Sequence, residues 1–260
     1  MLIAISSSAR TQSFDHAHSA FDALLAKHVR WLPEGHASVV DYAALAHDRP
    51  ALERYLASLS AVSRTDFERW NKPQRRAFLV NAYNAYTLQL VLTKYPDLES
   101  IKDLGGFFSS PWKQRFFTLL GESRHLDDVE HSLLRGAADY DDPRIHFAVN
   151  CASVGCPALR PEAFRAEVLD AQLDDQTRRF LADRSRNRAE PEASRLVLSP
   201  VFDWYEEDFS QGWRGARSVA QFVATYPVAL GLSAADIVAL QRDEWSVGYG
   251  DYDWSLNRSR

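Results

Sequence analysis

The sequence predicts an α+β protein, one mostly helical domain over residues 1–260 with a small central antiparallel sheet. Three observations predict it. The segment from Lys72 to about Tyr95 is apolar almost all round, the mark of a buried central helix. Apolar residues recur at helical spacing in several other segments, while only a few short runs alternate as strands do. No internal repeat and no long polar linker divides the 260 residues, a length that one large domain accommodates.

Each element follows from local signals. Phe14, Phe21, Leu24, Leu25 and Val29 form the stripe of an amphipathic first helix. After the Val39–Tyr42 segment, a short helix runs from Asp48 to Ser58, and a helical turn covers Ser63 to Trp70. Asn71 then caps the central helix, with Pro73 in its first turn and Gln74 as capping-box partner. Pro96 ends it. Gly105 to Pro111 is a loop beside Phe107, Phe108 and Trp112. Arg115–Leu120 and Arg124–Leu126 flank Gly121 as a hairpin. Asp127 caps a short helix with Glu130 at the partner position, carrying His131 and Arg135.

Arg144 to Cys151 reads as the best strand, because Ile145, Phe147, Val149 and Cys151 alternate with His146, Ala148 and Asn150. A small-residue loop, Ala152 to Pro161, follows it, then a helix from Pro161 to Asp183, a polar surface loop from Asn187 to Ser194 and a strand from Arg195 to Leu198. A helix starts at Ser199–Pro200, and Ser218 and Ser233 cap two more. The tail from Tyr249 to Asn257 is aromatic and irregular. It either packs on the domain or, with Trp245, docks a partner.

Composition narrows the function. The charge of −5 argues against a nucleic-acid protein, which carries a basic excess. The 25 arginines against 5 lysines are scattered, a bias of composition rather than an anion site. No stretch approaches the ~18 apolar residues of a membrane span. Met1–Ile5 is too short for a signal peptide, so residues 1–13 are either a disordered end or the remnant of an export signal. No P-loop, GxGxxG, HExxH or GxSxG motif occurs, and neither cofactor nor metal is expected. A zinc site is weakly supported, with only His146, Cys151 and Cys156 clustered.

The chemistry concentrates in one segment that brings His146, Asn150, Cys151 and Cys156 within eleven residues. A cysteine nucleophile needs thiolate character and a nearby base. In an extended strand Cys151 lies ~16 Å from His146 on the opposite face. Cys156 reaches His146 if the loop folds back at Gly155; otherwise His131 is the base. All eight histidines precede Cys151, which excludes a papain-like chain order. Against catalysis stand a buried apolar role for Cys151 and a disulfide between the two. Asn81 and Asn84, three apart on the central helix, either tie loop backbone or floor a pocket. Trp204 and Asp208 share a helical face, and Asp253–Trp254 repeats the acid-plus-Trp theme; either acid orients a histidine or caps a helix.

These readings leave a cysteine-dependent hydrolase or acyltransferase on a small peptide-like or thiol substrate. Cys156 or Cys151 would be nucleophile, His146 or His131 base, and Asn81 or Asn84 an orienting donor. The alternative is a non-catalytic module binding a small molecule or peptide through Arg144, Trp112 and Tyr83. Oligomeric state is not legible.

The runs Asn81–Ala85, Leu126–His131, Asp142–Cys151 and Val201–Tyr205 resemble domain of unknown function family 547. The resemblance is densest from Phe67 to Arg179, and the flanks Phe14–Val29 and Tyr252–Asn257 look like bacterial members. It implies no assigned activity. It marks His146, Asn81, Tyr83 and Asn84 as the steadier positions. It favours an exported, periplasmic or secreted protein and the export-remnant reading of Met1–Ile5. Plant-type members carry serine at the positions of the two cysteines, so the resemblance leaves a hydroxyl nucleophile open and makes no thiol chemistry universal.

Overall fold

A computed structural model describes residues 13–106, 110–136 and 140–259. Most of the predicted export remnant, and Phe107 and Phe108 of the aromatic loop, lie outside the described residues.

The chain opens with helix α1 (Ser19–His28), which passes into an antiparallel pair, β1 (Val29–Trp31) with β2 (Ser38–Val40). Helices α2 (Tyr42–His47), α3 (Arg49–Ser60) and α4 (Arg64–Arg69) follow. The predicted central helix is α5 (Lys72–Leu92), and its Asn71/Gln74 capping box is present in both directions. Residues Ala77 to Leu88 are all buried, since they face packed neighbours on every side. The hairpin is β3 (Phe117–Leu119) with β4 (Glu122–Arg124). Beyond it lie α6 (Leu169–Ala182), β5 (Arg188–Glu190), β6 (Arg195–Leu198), α7 (Val201–Trp204), α8 (Glu206–Phe209), α9 (Val219–Ala224), α10 (Pro227–Leu230), α11 (Ala234–Gln241) and β7 (Ser246–Tyr249). Ser218 and Ser233 cap α9 and α11 as expected.

The protein is mostly helical, as predicted, with its strands in small sheets. Among the described residues there are three such sheets, and β6 pairs parallel with β7 on one side and antiparallel with β5 on the other. Strand β5 occupies the stretch expected to be a polar loop, because its pairing with β6 satisfies its backbone without an apolar face. Helix α6 starts eight residues later than predicted, at Leu169.

The largest departure is at Arg144 to Cys151. No strand forms there. Pro143–Phe147 is a 3₁₀ helix, capped by Asp142, whose Oδ1 accepts the Arg144 N–H at 3.1 Å. The alternation misled because every residue from Asp142 to Asn150 is buried. An apolar/polar period marks a strand only when one face meets water. Ile145, Ala148 and Val149 pack into the core around α5, while Phe147 enters a second cluster with Phe180, Phe202, Phe209 and Phe222. This segment is therefore a wedge between two hydrophobic clusters, and His146 sits at their junction.

The second departure is at Asp127, which caps nothing. The reciprocal pair forms two residues earlier: Asp128 N–H donates to His125 Nδ1 at 2.9 Å, and His125 N–H donates to Asp128 Oδ2 at 3.2 Å. The helix it opens is a π-helix, Asp128–Leu134, closed by Arg135 N–H to Glu130 O at 2.9 Å. Such wide turns are uncommon and often lie at functional sites. The shift leaves the Asp127 and Glu130 side chains without a capping duty.

Candidate functional site

A cavity of about 180 Å³ lies where these elements meet. Helix α5 contributes Tyr83, and the turn Pro111–Lys113 contributes Trp112. The π-helix and the residue before it bring Asp127, Glu130 and His131. The 3₁₀ wedge brings His146, and the loop after it brings Cys151 and Cys156. Helix α7 and the following residue supply Trp204 and Tyr205, and the tail supplies Tyr252 and Trp254.

His146 is held on two sides. Its Nε2 lies 2.6 Å from Asp208 Oδ2, and its ring stacks on Tyr205 with centroids 3.8 Å apart. Asp208 also accepts Arg135 Nε at 2.6 Å, Arg135 Nη2 at 3.0 Å and the Tyr140 hydroxyl at 3.2 Å. Burial would raise the Asp208 carboxyl, but His146 and Arg135 together hold it well below the usual carboxylate range. A carboxylate can only accept, so the proton between them sits on Nε2. Burial above all lowers the His146 pKa, which keeps the ring neutral and leaves a lone pair on Nδ1. That nitrogen is buried and makes no hydrogen bond. His131 Nδ1 accepts from Arg135 Nη1 at 2.8 Å, so its own proton is on Nε2. Tyr205 donates to Glu130 Oε1 at 2.5 Å.

The two cysteines are free thiols in a folded-back loop. Cys151 N–H donates to Cys156 Sγ at 2.8 Å, across a turn in which Ala152 adopts φ +63°. Asn150 braces that turn: its Oδ1 accepts Ala152 N–H at 3.0 Å, and its amide donates to Pro157 O at 2.7 Å. The tail runs antiparallel alongside, with Val154 N–H to Ser255 O at 2.8 Å and Gly155 N–H to Asp253 O at 2.7 Å. A Cβ on Gly155 would lie 3.0 Å from the Asp253 backbone and the Tyr252 ring, a tight contact that glycine avoids.

Cys151 Sγ, Ser153 Oγ and Tyr252 OH form a triangle with edges of 3.0, 3.2 and 3.1 Å. Three hydrogens serve its three edges when the thiol is neutral. When sulfur ionises, both hydroxyls turn to donate to it. Burial pushes the Cys151 thiol up, but hydrogen bonds from Cys156, Ser153 and Tyr252 outweigh it and bring it to about 7. Burial and the neighbouring Cys151 sulfur push Cys156 well above the ordinary thiol range. Cys151 is thus the ionisable member and Cys156 the buried one. The strand-parity argument for Cys156 as partner of His146 loses its premise, because Pro143–Phe147 is a 3₁₀ helix. Among the described residues no hydrogen bond joins either sulfur to an imidazole.

Of the expected site residues, Cys151, Cys156, His146, His131, Tyr83 and Trp112 line the cavity together. Asn81, Asn84 and Arg144 do not. Asn81 grips Phe164 through both its N–H (3.0 Å) and its carbonyl (2.7 Å). Asn84 donates to Ala148 O at 3.0 Å and accepts Asn150 N–H at 2.8 Å. Both amides bond loop backbone through oxygen and nitrogen, and neither lines the cavity. Arg144 turns away to Asp142 (2.7 Å) and Asp170 (2.6 Å), with its guanidinium 4.9 Å from the Trp213 ring. Asp208, not Asp253, holds a histidine, but it shares no helical face with Trp204, because the chain breaks at Tyr205 between α7 and α8. Tyr205 and Tyr252 reach the site from distant segments, while Glu130 and Ser153, beside His131 and Cys151 in sequence, carry no spacing signal of their own. The tail packs on the domain, with Trp245 and Leu256 buried.

Among the described residues no three His, Cys, Asp or Glu side chains converge to hold a metal ion, and no helix is long and apolar enough to cross a membrane. Fold and site together define a mostly helical α+β domain with a thiol pair and a carboxylate-held imidazole on one aromatic cavity. Residues 67–181 match the model of a family described as protein of unknown function, DUF547, the family that the runs in the sequence resemble. The match takes in α5, the π-helix, the His146 wedge and both cysteines, but not Asp208 or the tail. No curated protein and no solved structure matches the chain.

Proposed function

We propose that the protein is a cysteine-dependent hydrolase or acyltransferase acting on a small substrate, with Cys151 as nucleophile and His146 as base. The observation that carries the reading is the Cys151 triangle. Hydrogen bonds with Ser153 and Tyr252 at 3.0 and 3.2 Å offset burial and draw the Cys151 thiol down toward thiolate, without a base in contact with it. Its sulfur and the neutral His146 ring line the same cavity.

In this reading the thiolate attacks the substrate carbonyl carbon. An S–C bond forms, and the C–O or C–N bond to the leaving group breaks. The departing oxygen or nitrogen takes a proton from water. The neutral His146 Nδ1 then takes the proton of the water, alcohol or amine that attacks the thioester, and the Cys151 thiolate leaves. Asp208 keeps the ring in the tautomer that leaves Nδ1 available, as the orienting carboxylate of a triad does.

The test is trapping of the acyl-enzyme. Incubation with a small activated acetate ester, followed by intact mass and peptide mapping, should find one acetyl group on Cys151. It should find none on the Cys151→Ser protein, and a longer-lived adduct on His146→Gln. Acetyl spread over lysines alone contradicts the reading. A non-catalytic binding role is favoured by one observation, the lack of a sulfur–imidazole hydrogen bond. A native mass two hydrogens below that of the reduced protein would support it, as it would make the cysteines a disulfide.

A further inference from the structure

We propose that the cavity recognises its substrate by an ammonium group, primary or quaternary, seated on the aromatic wall formed by Trp112, Trp204, Tyr252 and Trp254 and paired with Glu130 and Asp127. The inference rests on the reading of this cavity as the substrate site and names the class of molecule it takes.

Charge is the first argument. Two carboxylates line the cavity and no lysine or arginine does. Both histidines on the wall are neutral or committed, His146 by burial and His131 by its bond from Arg135. Glu130 is 6% exposed. Its Oε1 takes the Tyr205 hydroxyl, while no hydrogen bond is made by Oε2 among the described residues. Asp127 makes no side-chain hydrogen bond there either, because the His125–Asp128 pair caps the helix in its stead. A cationic ligand in the cavity gives both carboxylates a partner of opposite charge.

The aromatic wall is the second argument. Trp204, Tyr252 and Trp254 are mutually in contact, with centroids 4.4 to 5.8 Å apart, and Trp112 meets Trp254 at 5.9 Å. The faces of such rings carry negative charge and attract cations. The chain itself demonstrates the preference: Lys102 Nζ lies 3.6 Å from the centroid of Trp254, although Lys102 is not part of the cavity lining. Among the described residues no cation sits over Trp112, Trp204 or Tyr252. Size is the third. A cavity of about 180 Å³ is smaller than the ~300 Å³ at which drug-sized sites begin, and suits the head of a small amine or the end of a longer chain.

The experiment uses the full chain carrying Cys151→Ser, so that no covalent step enters, and follows tryptophan fluorescence and calorimetry. The probes are choline and its uncharged isostere 3,3-dimethylbutan-1-ol. Choline should bind at least about tenfold tighter than the isostere. Glu130→Gln and Asp127→Asn should each remove most of that difference without weakening the isostere, and the exposed-side Asp127 variant serves if Glu130→Gln fails to fold. Equal binding of the two probes, or no saturable binding of choline, overturns the ammonium proposal. Either result leaves acyl transfer standing, since acetylation of Cys151 in the unmutated protein is read separately.

Discussion

Asp208 Oδ2 and His146 Nε2 are 2.6 Å apart across 62 residues of sequence, and that one contact fixes which imidazole nitrogen keeps its lone pair. The carboxylate comes from α8 and the ring from the wedge between the two hydrophobic clusters.

Replacing Asp208 by Asn tests that relationship. The amide presents at most one acceptor oxygen where four hydrogen bonds converge, and leaves Arg135 part-buried without its anion. Breaking a buried ion pair from one side costs about 3 kcal/mol or more. The variant should lose roughly that much in denaturant unfolding, and ¹⁵N shifts of the His146 ring should no longer report a pure Nε2–H tautomer. An unchanged tautomer would mean that something other than Asp208 orients the ring.

Asn84 makes a structural prediction rather than a catalytic one. Asn84→Ala strands the Ala148 carbonyl and the Asn150 N–H, both buried, at about 1–3 kcal/mol each. Unfolding should show a loss of about 2 kcal/mol or more. Choline binding at the cavity should be preserved, because Asn84 does not line it. Loss of binding with full stability would instead put the amide in the site.

Gly155→Ala pushes on the backbone of the tail. The added methyl meets Asp253 and the Tyr252 ring at 3.0 Å, so the tail must give by a few tenths of an ångström. That lengthens the 3.2 Å contact of Tyr252 with Cys151. The half-point of Cys151 ionisation should rise from about 7 toward that of an ordinary thiol, by a measurable fraction of a pH unit, in a protein that still folds. An unmoved half-point would show that Ser153 and Cys156 hold the thiolate without the tail.

Stability should fall between pH 6.5 and 4 through buried histidines. His18 is buried, accepts the Tyr55 hydroxyl on Nδ1 at 2.7 Å and has no partner on Nε2. Burial pushes its pKa down to about 4. The unfolded chain therefore binds a proton from about pH 6.5 downward while the folded one resists, and up to roughly 3 kcal/mol is lost over that range. His146, also lowered by burial, acts in the same direction. Asp208 does not contribute there: its depressed carboxyl stabilises above the ordinary carboxylate range and fails only in stronger acid. His18→Asn tolerates the left-handed backbone at φ +53° and cannot titrate. Its unfolding free energy should vary less from pH 7 to 4, and an equal slope in both proteins would remove His18 as the cause.

Much of this was legible where the signal is local. The Asn71/Gln74 box, the all-round apolar face of α5, the hairpin at Gly121 and the caps at Ser218 and Ser233 are decided within a few residues, and all form. Two local signals failed because tertiary structure overrode them. The alternation at Arg144–Cys151 lost its meaning once both sides were buried, and Asp127 lost its cap to a better reciprocal pair. For the site, the cluster of His146, Cys151 and Cys156 was visible because it is contiguous. The order of the two thiols was not, since it depends on Ser153 and on Tyr252, 101 residues away.

The most direct measurement is the rate of iodoacetamide labelling of each cysteine in the native protein against pH, with peptide mapping to tell the two apart. The account predicts that Cys151 labels first, with a half-point near 7, and that Cys156 stays slow to well above the ordinary thiol range. A half-point near 8.5 for Cys151, that of a free thiol, or faster labelling of Cys156, would contradict it.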